Sequence, residues 1–353
     1  MKVVHIVGTG TIGEPLIGLI SDFKEKLGID QVTFHKNTPL LSDRSKVQSL
    51  VSRGAVLTTS KDTFDGFKKI GLNPLFSTED AIERSSVVID CTPKGIGHKN
   101  KNDYYNKFAN STLGFIAQGS EFGFGKMYAR GINDEALDIN KDKFIHVVSC
   151  NTHNISSIIK TIAFEGENNF LDYARFNCIR RANDVSQSRG FIASPQVGKH
   201  DDNKYGTHHA KDASLLFNTI NQNLDLFSSA IKINTQYMHI LHFNLKLKKN
   251  ISMDEVLNKF RNNDRIALTN KVDSCEVFSF GRDHGHFGRI LNQAVISIPS
   301  LHIRNNNELS GFCFTPQDGN SLLSSVAAAS WFLDPDNYEK KIQCLKPFLF
   351  DEV

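Results

Sequence analysis

Cys150 lies in Val147-Val-Ser-Cys-Asn-Thr-His153, where an apolar, strand-like run gives way to a polar segment of helical character. A thiol at a helix N-terminus has its thiolate stabilised by the dipole and by free N–H groups, which predicts a pKa below the ordinary value of about 8.5. The amides that follow can cradle an oxyanion. The chemistry this implies is attack by sulfur on a carbonyl carbon, as in an aldehyde dehydrogenase. The competing reading is an inert core thiol, the commonest fate of a lone buried cysteine.

Such a nucleophile needs a general base, and His239, at the head of an alternating apolar segment, is the candidate; the alternative is a satisfied core histidine. His208 and His209 form a second cluster in a long polar stretch. Arg180 and Arg181 present two cationic forks suited to phosphate, unless they are simple surface charges. His284 and His286 sit in a Gly-rich turn whose spacing does not make a metal site.

Near the chain start, Gly8-Thr-Gly10-Thr-Ile-Gly13 is a GxGxxG motif preceded by a strand-like run and followed by a helical pattern. The first glycine permits a tight turn, the second lets backbone approach a pyrophosphate, and the third allows helix and strand to pack closely. The helix N-terminus then supplies donors and partial positive charge. NAD sites usually place an acidic residue about 20 residues on. Here the segment reads Val32-Thr-Phe-His-Lys36-Asn-Thr, with no carboxylate. Lys36 or His35 facing a 2′-phosphate would favour NADP, with dual NAD use open; a solvated turn is the alternative.

The elements that must position these residues fall into two groups. Val3–Val7, Gln31–Phe34, Ser86–Cys91, Gly114–Ala117 and Phe144–Val148 read as buried strands. They alternate with helical patterns such as Ile12, Leu16, Leu19, Ile20, Phe23 and Leu27, the βαβ rhythm of a covered parallel sheet. After Cys150, Tyr173–Arg181 and Gln236–Lys248 alternate with a period of two, which predicts half-buried antiparallel strands. Residues 183–211 read as a long functional loop, and 318–333 as a C-terminal helix. The fold class expected is α/β, a Rossmann-type parallel-sheet domain plus an α+β catalytic domain with a mainly antiparallel sheet. The expected boundaries are 1–148 for the first, completed by the C-terminal helix at about 316–353, and 149–315 for the second.

Forty per cent hydrophobic and 22% charged residues in a 353-residue chain provide ample core, and a net charge of +3 is far from a nucleic-acid binder's. The six cysteines contain no CxxC pair, against a zinc ribbon or a disulfide framework. No signal-peptide pattern opens the chain, and no apolar run approaches the roughly 18 residues that span a bilayer. A cytoplasmic protein without nucleic-acid or membrane partners is the expectation.

Together these segments resemble the archaeal (type II) glyceraldehyde-3-phosphate dehydrogenases. The glycine loop, Cys91-Thr-Pro-Lys-Gly-Ile-Gly-His-Lys-Asn100, Ile116-Ala-Gln-Gly119, Val148-Ser-Cys-Asn-Thr152, Arg180-Arg181-Ala, His208-His209, Met238-His239 and the stretch from Gln293 to Pro299 follow in the family's order. The resemblance implies that Thr11, Ile12, Gly119, Arg181 and Gln293 contact NADP or NAD, beside Gly8, Gly10, Gly13 and Lys36. It implies that Ser149, Asn151, Arg180, His209 and Ala210 contact substrate, that Cys150 is the nucleophile and that His239 is the base. Glyceraldehyde 3-phosphate and inorganic phosphate would be the partners, in a homotetramer. His153-Asn154, the Ala-Lys of His208-His-Ala-Lys-Asp212 and Ser300-Leu-His302 depart from the family pattern. They keep open a semialdehyde or another phosphorylated aldehyde as substrate. A catalytically silent dinucleotide-binding protein is the alternative from a different class.

Overall fold

The computed structural model describes residues 1–353 except 185, 186, 188, 189 and 317, and its contacts divide it into two compact units. One comprises Met1–Tyr128, Leu137–Val147 and Ser321–Lys346; the other comprises Ala129–Ala136, Val148–Asn320 and Pro347–Val353.

In the first unit, eight short strands form one parallel sheet: β1 (Val3–Val7), β2 (Gln31–His35), β3 (Val56–Thr59), β4 (Phe76–Ser77), β5 (Val87–Asp90), β6 (Gly114–Ala117), β7 (Lys126–Tyr128) and β8 (Phe144–Val147). Their order across the sheet is β4-β3-β2-β1-β5-β6-β8-β7. β1 is buried throughout because both faces are covered, which is why it reads as a continuous apolar run rather than an alternating one. The helices that the start of the chain gives this unit are α1 (Gly13–Leu27), α2 (Arg44–Ser52), α3 (Phe64–Lys69), α4 (Thr78–Glu83) and α5 (Ile96–Asp103). Pro15 falls in the first turn of α1, where a missing N–H costs nothing. Val7, Val88, Tyr105, Phe115 and Phe124 pack into a cluster on this sheet.

The second unit opens with α6 (Cys150–Ala163) and a small hairpin of β9 (Phe164–Glu165) and β10 (Asn168–Asn169). Its large sheet runs β12 (Gln196–Val197), β13 (Leu226–Lys232), β11 (Leu171–Arg180), β14 (His239–Leu247), β18 (Glu308–Thr315), β16 (Ala294–Ser297) and β15 (Ile266–Thr269), with β17 (His302–Arg304) beside β18. Most pairings are antiparallel, while β11–β13 and β15–β16 are parallel. In β14, Leu241, Phe243, Leu245 and Leu247 are buried, whereas Ile240, His242, Asn244 and Lys246 are half-exposed, the alternation read from sequence. The helices of this unit are α7 (His208–Asn218), α8 (Met253–Arg261) and α9 (Ser274–His284); α10 (Gly319–Leu333) from Ser321 onward and α11 (Tyr338–Ile342) belong to the first unit. The polar stretch 183–211 includes 185, 186, 188 and 189, outside the described residues; the remainder carries β12 and the start of α7. Among the described residues, no helix is long and apolar enough to cross a membrane.

Candidate active site

β8 ends at Val147, and two residues later Ser149 caps α6. The Ser149 Oγ accepts from the Thr152 N–H at 3.4 Å and lies 2.9 Å from Thr152 Oγ1. A serine at this position satisfies one of the helix's orphan donors, so Ser149 has a structural task as well as its expected place at the substrate. Cys150 is the first residue of α6 and retains partial exposure. Asn151 is buried and its Oδ1 accepts from Thr315 Oγ1 at 3.2 Å, tying the helix start to the end of β18.

The depressed thiol pKa expected of a helix N-terminus does not hold. Burial pushes the Cys150 thiol up to about 11, Asp318 adds to the rise, and Arg181 pulls the other way. Desolvation of the anion outweighs the favourable helix end here. A nearby cation and a proton acceptor therefore matter more than the dipole.

Arg181 supplies that cation. Its side chain is 3% exposed, with Nη2 at 2.9 Å from Asp184 Oδ1 and 3.9 Å from Asp318 Oδ2. Expected at the dinucleotide, it has its guanidinium toward two carboxylates of the second unit, with Cys150 within electrostatic reach. Its backbone N–H donates to His239 Nδ1 at 3.0 Å. Burial, Arg181 and then Arg180 hold this imidazole well below its ordinary pKa, so it is neutral, and its proton resides on Nε2. A neutral ring in that tautomer gives a hydrogen bond at Nε2 and cannot take a proton there. The expected general base is thus arranged as a donor.

At the end of β11, Arg180, Lys199, Lys211, Thr207, His208 and His209 line a cavity that Asp201 and Asp202 also border. His209 is 3% exposed, and among the described residues both its ring nitrogens lack a hydrogen-bond partner. Burial, with His208, Arg180 and His239 beside it, keeps this ring neutral. A buried imidazole with no partner, amid fixed cations, suits an anionic ligand that completes its bonding. Ala210 is fully buried, and its N–H donates to Ser228 Oγ at 3.0 Å. Gln293 is likewise fully buried; its Nε2 donates to the Arg130 carbonyl, and its Oε1 has no hydrogen-bond partner among the described residues.

The glycine loop lies in the other unit. Gly8 turns at φ +100° and its N–H donates to the His35 carbonyl at 3.1 Å. A Cβ on Gly13 would stand 2.1 Å from the Gly8 carbonyl oxygen, whereas Gly10 has nothing within 4 Å of that position. Ile12, the N-cap of α1, offers no side-chain cap, and Thr11 and Ile12 form the turn that leads into its first residue, Gly13. Close packing below and open space above is what a dinucleotide pyrophosphate requires. The Gly119 carbonyl, at the end of β6, accepts from His146 Nε2 at 3.3 Å.

Lys36 follows β2, but its Nζ is already bonded to Asp43 Oδ2 at 2.5 Å. Lys46 of α2 lies 3.5 Å from the other oxygen of Asp43 and donates to the Thr9 carbonyl of the glycine loop at 3.1 Å. The Lys36 hydrogen bond holds the Asp43 carboxyl below the usual carboxylate range. A carboxylate does therefore stand beside the nucleotide loop. It comes from the turn before α2, too far along the chain for the usual spacing to reveal it. His35 is buried, and burial lowers its pKa to about 4, which removes it as a cation for phosphate.

No family model matches the chain. It is 29% identical over 315 residues to a glyceraldehyde-3-phosphate dehydrogenase of Sulfolobus acidocaldarius, covering 87% of this chain and 84% of the relative. Proteins of the same name from Pyrobaculum islandicum (25% over 314 residues, 86% and 84%) and Sulfurisphaera tokodaii (27% over 315 residues, 86% and 84%) are also similar. Over most of its length, then, this chain resembles the archaeal glyceraldehyde-3-phosphate dehydrogenases, as the order of its motifs indicated.

Proposed function

We propose that this protein is a phosphorylating glyceraldehyde-3-phosphate dehydrogenase in which Cys150 carries the acyl group. The observation that supports it most directly is the partly exposed Cys150 at the capped start of α6, with Arg181 as its cationic neighbour. The Cys150 thiolate attacks the aldehyde carbon. His239 offers Nε2–H to the oxygen that becomes negative, and the amides at the start of α6 add to that stabilisation. Arg180 and His209 hold the substrate phosphate, and inorganic phosphate later opens the thioester to an acyl phosphate. When bound at the glycine loop, a nicotinamide dinucleotide supplies the hydride acceptor. Gly8, Gly10 and Gly13 receive its pyrophosphate, with Thr11, Ile12 and Gly119 beside it. Asp43 suits a ribose 2′-hydroxyl and Lys36 with Lys46 a 2′-phosphate, so both NAD and NADP fit this reading. A homotetramer in the cytoplasm is part of the same reading.

The test is reduction of NAD and NADP with glyceraldehyde 3-phosphate, with and without inorganic phosphate, for the wild type and Cys150→Ser. Turnover that requires phosphate and disappears in the variant is the expected result. Dehydrogenase activity retained by Cys150→Ser would sink the assignment. A semialdehyde run in parallel separates the nearest alternative substrate.

A further inference from the structure

A train of buried polar side chains leads from the end of β18 to the residue that follows the nucleophile. Cys313, Asn154, Thr315 and Asn151 are all buried, Cys313 and Asn154 completely. Cys313 Sγ donates to Asn154 Oδ1 at 3.2 Å, nearer than the Leu241 carbonyl at 3.6 Å. Burial raises the pKa of this thiol, so it keeps the proton it shares. With its oxygen engaged, Asn154 turns Nδ2 to Thr315 Oγ1 and donates at 2.8 Å. A hydroxyl has one proton, and that of Thr315 goes to its other neighbour, Asn151 Oδ1, at 3.2 Å. Each amide thus has its oxygen and nitrogen ends assigned by the partner before it. The last atom in line, Asn151 Nδ2, donates to nothing among the described residues. Asn151 lies in the first turn of α6, directly after Cys150. Thr315, which holds it, is the register partner of His239 across β14 and β18.

We propose that Thr315, oriented by Asn154, is a positioning residue: it fixes the Asn151 amide so that Nδ2 meets the substrate's carbonyl oxygen as that oxygen becomes negative. An amide without this hold is free to turn half a revolution. It would then present Oδ1 to the growing charge, which repels where a donor would stabilise. Hydrogen bonds in line polarise one another, so an N–H at the end of this train is a stronger donor than an isolated amide. No bond is made or broken within the train, and no proton changes owner. The donor is aimed before the reaction begins, which is the preorganisation that oxyanion stabilisation requires. The proposal rests on the nucleophilic role of Cys150 proposed above, and it adds a side-chain donor to His239 and the α6 amides.

The test compares Thr315→Val, which keeps the side chain's shape and removes its hydroxyl, with Thr315→Ser, which keeps the hydroxyl. Steady-state kinetics with glyceraldehyde 3-phosphate, phosphate and NAD or NADP are measured for both. Alkylation of Cys150 by iodoacetamide is followed on its peptide by mass spectrometry. Thr315→Val should lower kcat by about 10-fold or more, towards the roughly 100-fold that losing one oxyanion donor costs, with KM little changed. Thr315→Ser should stay within a few-fold of wild type. Alkylation forms no oxyanion, so its rate should not move in either variant. Adding Thr315→Val to Asn151→Ala should cost almost nothing further, because Thr315 acts through that amide. Four results overturn the proposal: near-normal turnover of Thr315→Val, equal loss in the serine and valine variants, slowed alkylation, or additive losses in the double variant. Thr315→Ala decides the matter by the same criteria if the valine variant does not fold. Absence of wild-type turnover overturns the dehydrogenase reading as well, whereas these four results strike the role of Thr315 alone.

Discussion

At the scale of single residues, the site is governed by which nitrogen of His239 holds its proton. The Arg181 N–H occupies Nδ1, and burial with two arginines keeps the ring neutral, so Nε2 is a donor. His239→Ala should lower kcat by about 100-fold or more, the usual cost of removing one oxyanion donor. His239→Gln, which keeps an N–H to give, should recover part of that loss. Equal damage in both variants would show that proton acceptance, not donation, is what the imidazole provides. Cys150, Arg180 and His209 could be singled out as candidates in sequence because each stands at the edge of a recognisable element. Asp318, Asp43 and Lys46 were not. Chain reversal brings them near Arg181 and the glycine loop from positions where spacing carries no signal. The tautomer of His239 was equally hidden, since it depends on a backbone amide.

At the scale of elements, Ser149 decides how firmly the nucleophile is held. Its Oγ closes the first turn of α6, and Ser149→Ala should destabilise the protein by about 1 kcal/mol, read as a lower urea midpoint at unchanged slope. A stability equal to wild type would remove the cap from this account. The strands most visible in sequence were those with one clear period. β14 alternates, and β1 and β5 are continuous apolar runs covered on both faces. β13, β15 and β16 escaped notice. β15 and β16 are four-residue strands buried throughout, too short for periodicity to separate strand from helix. Their parallel pairings depend on crossovers that no local pattern encodes.

For the whole molecule, acid should be the weak side. His5, His35 and His146 are buried, and burial lowers their pKa values to about 3, about 4 and about 4. In the unfolded chain they take up protons near pH 6.5; in the folded protein they resist until the lower values. Stability from keeping them neutral is therefore complete above about pH 6.5 and declines as pH falls toward 4. The slope should approach roughly 1.4 kcal/mol per pH unit for each histidine. Urea unfolding between pH 7 and 4.5 measures it, and His146→Gln should remove about one histidine's share. An unchanged slope would mean that this histidine is not held neutral.

The division of the chain also has a consequence for its synthesis. The first unit takes Met1–Tyr128 from the start of the chain and Ser321–Lys346 from near its end. The Phe332 ring lies directly on Gly114 of β6, filling the space a side chain there would need. A ribosome adding about 5–20 residues per second delivers that helix tens of seconds after β6 has emerged. Until then the apolar ground it covers is open to water, neighbours and chaperones, so nascent chains are most vulnerable to aggregation during the translation of the second unit.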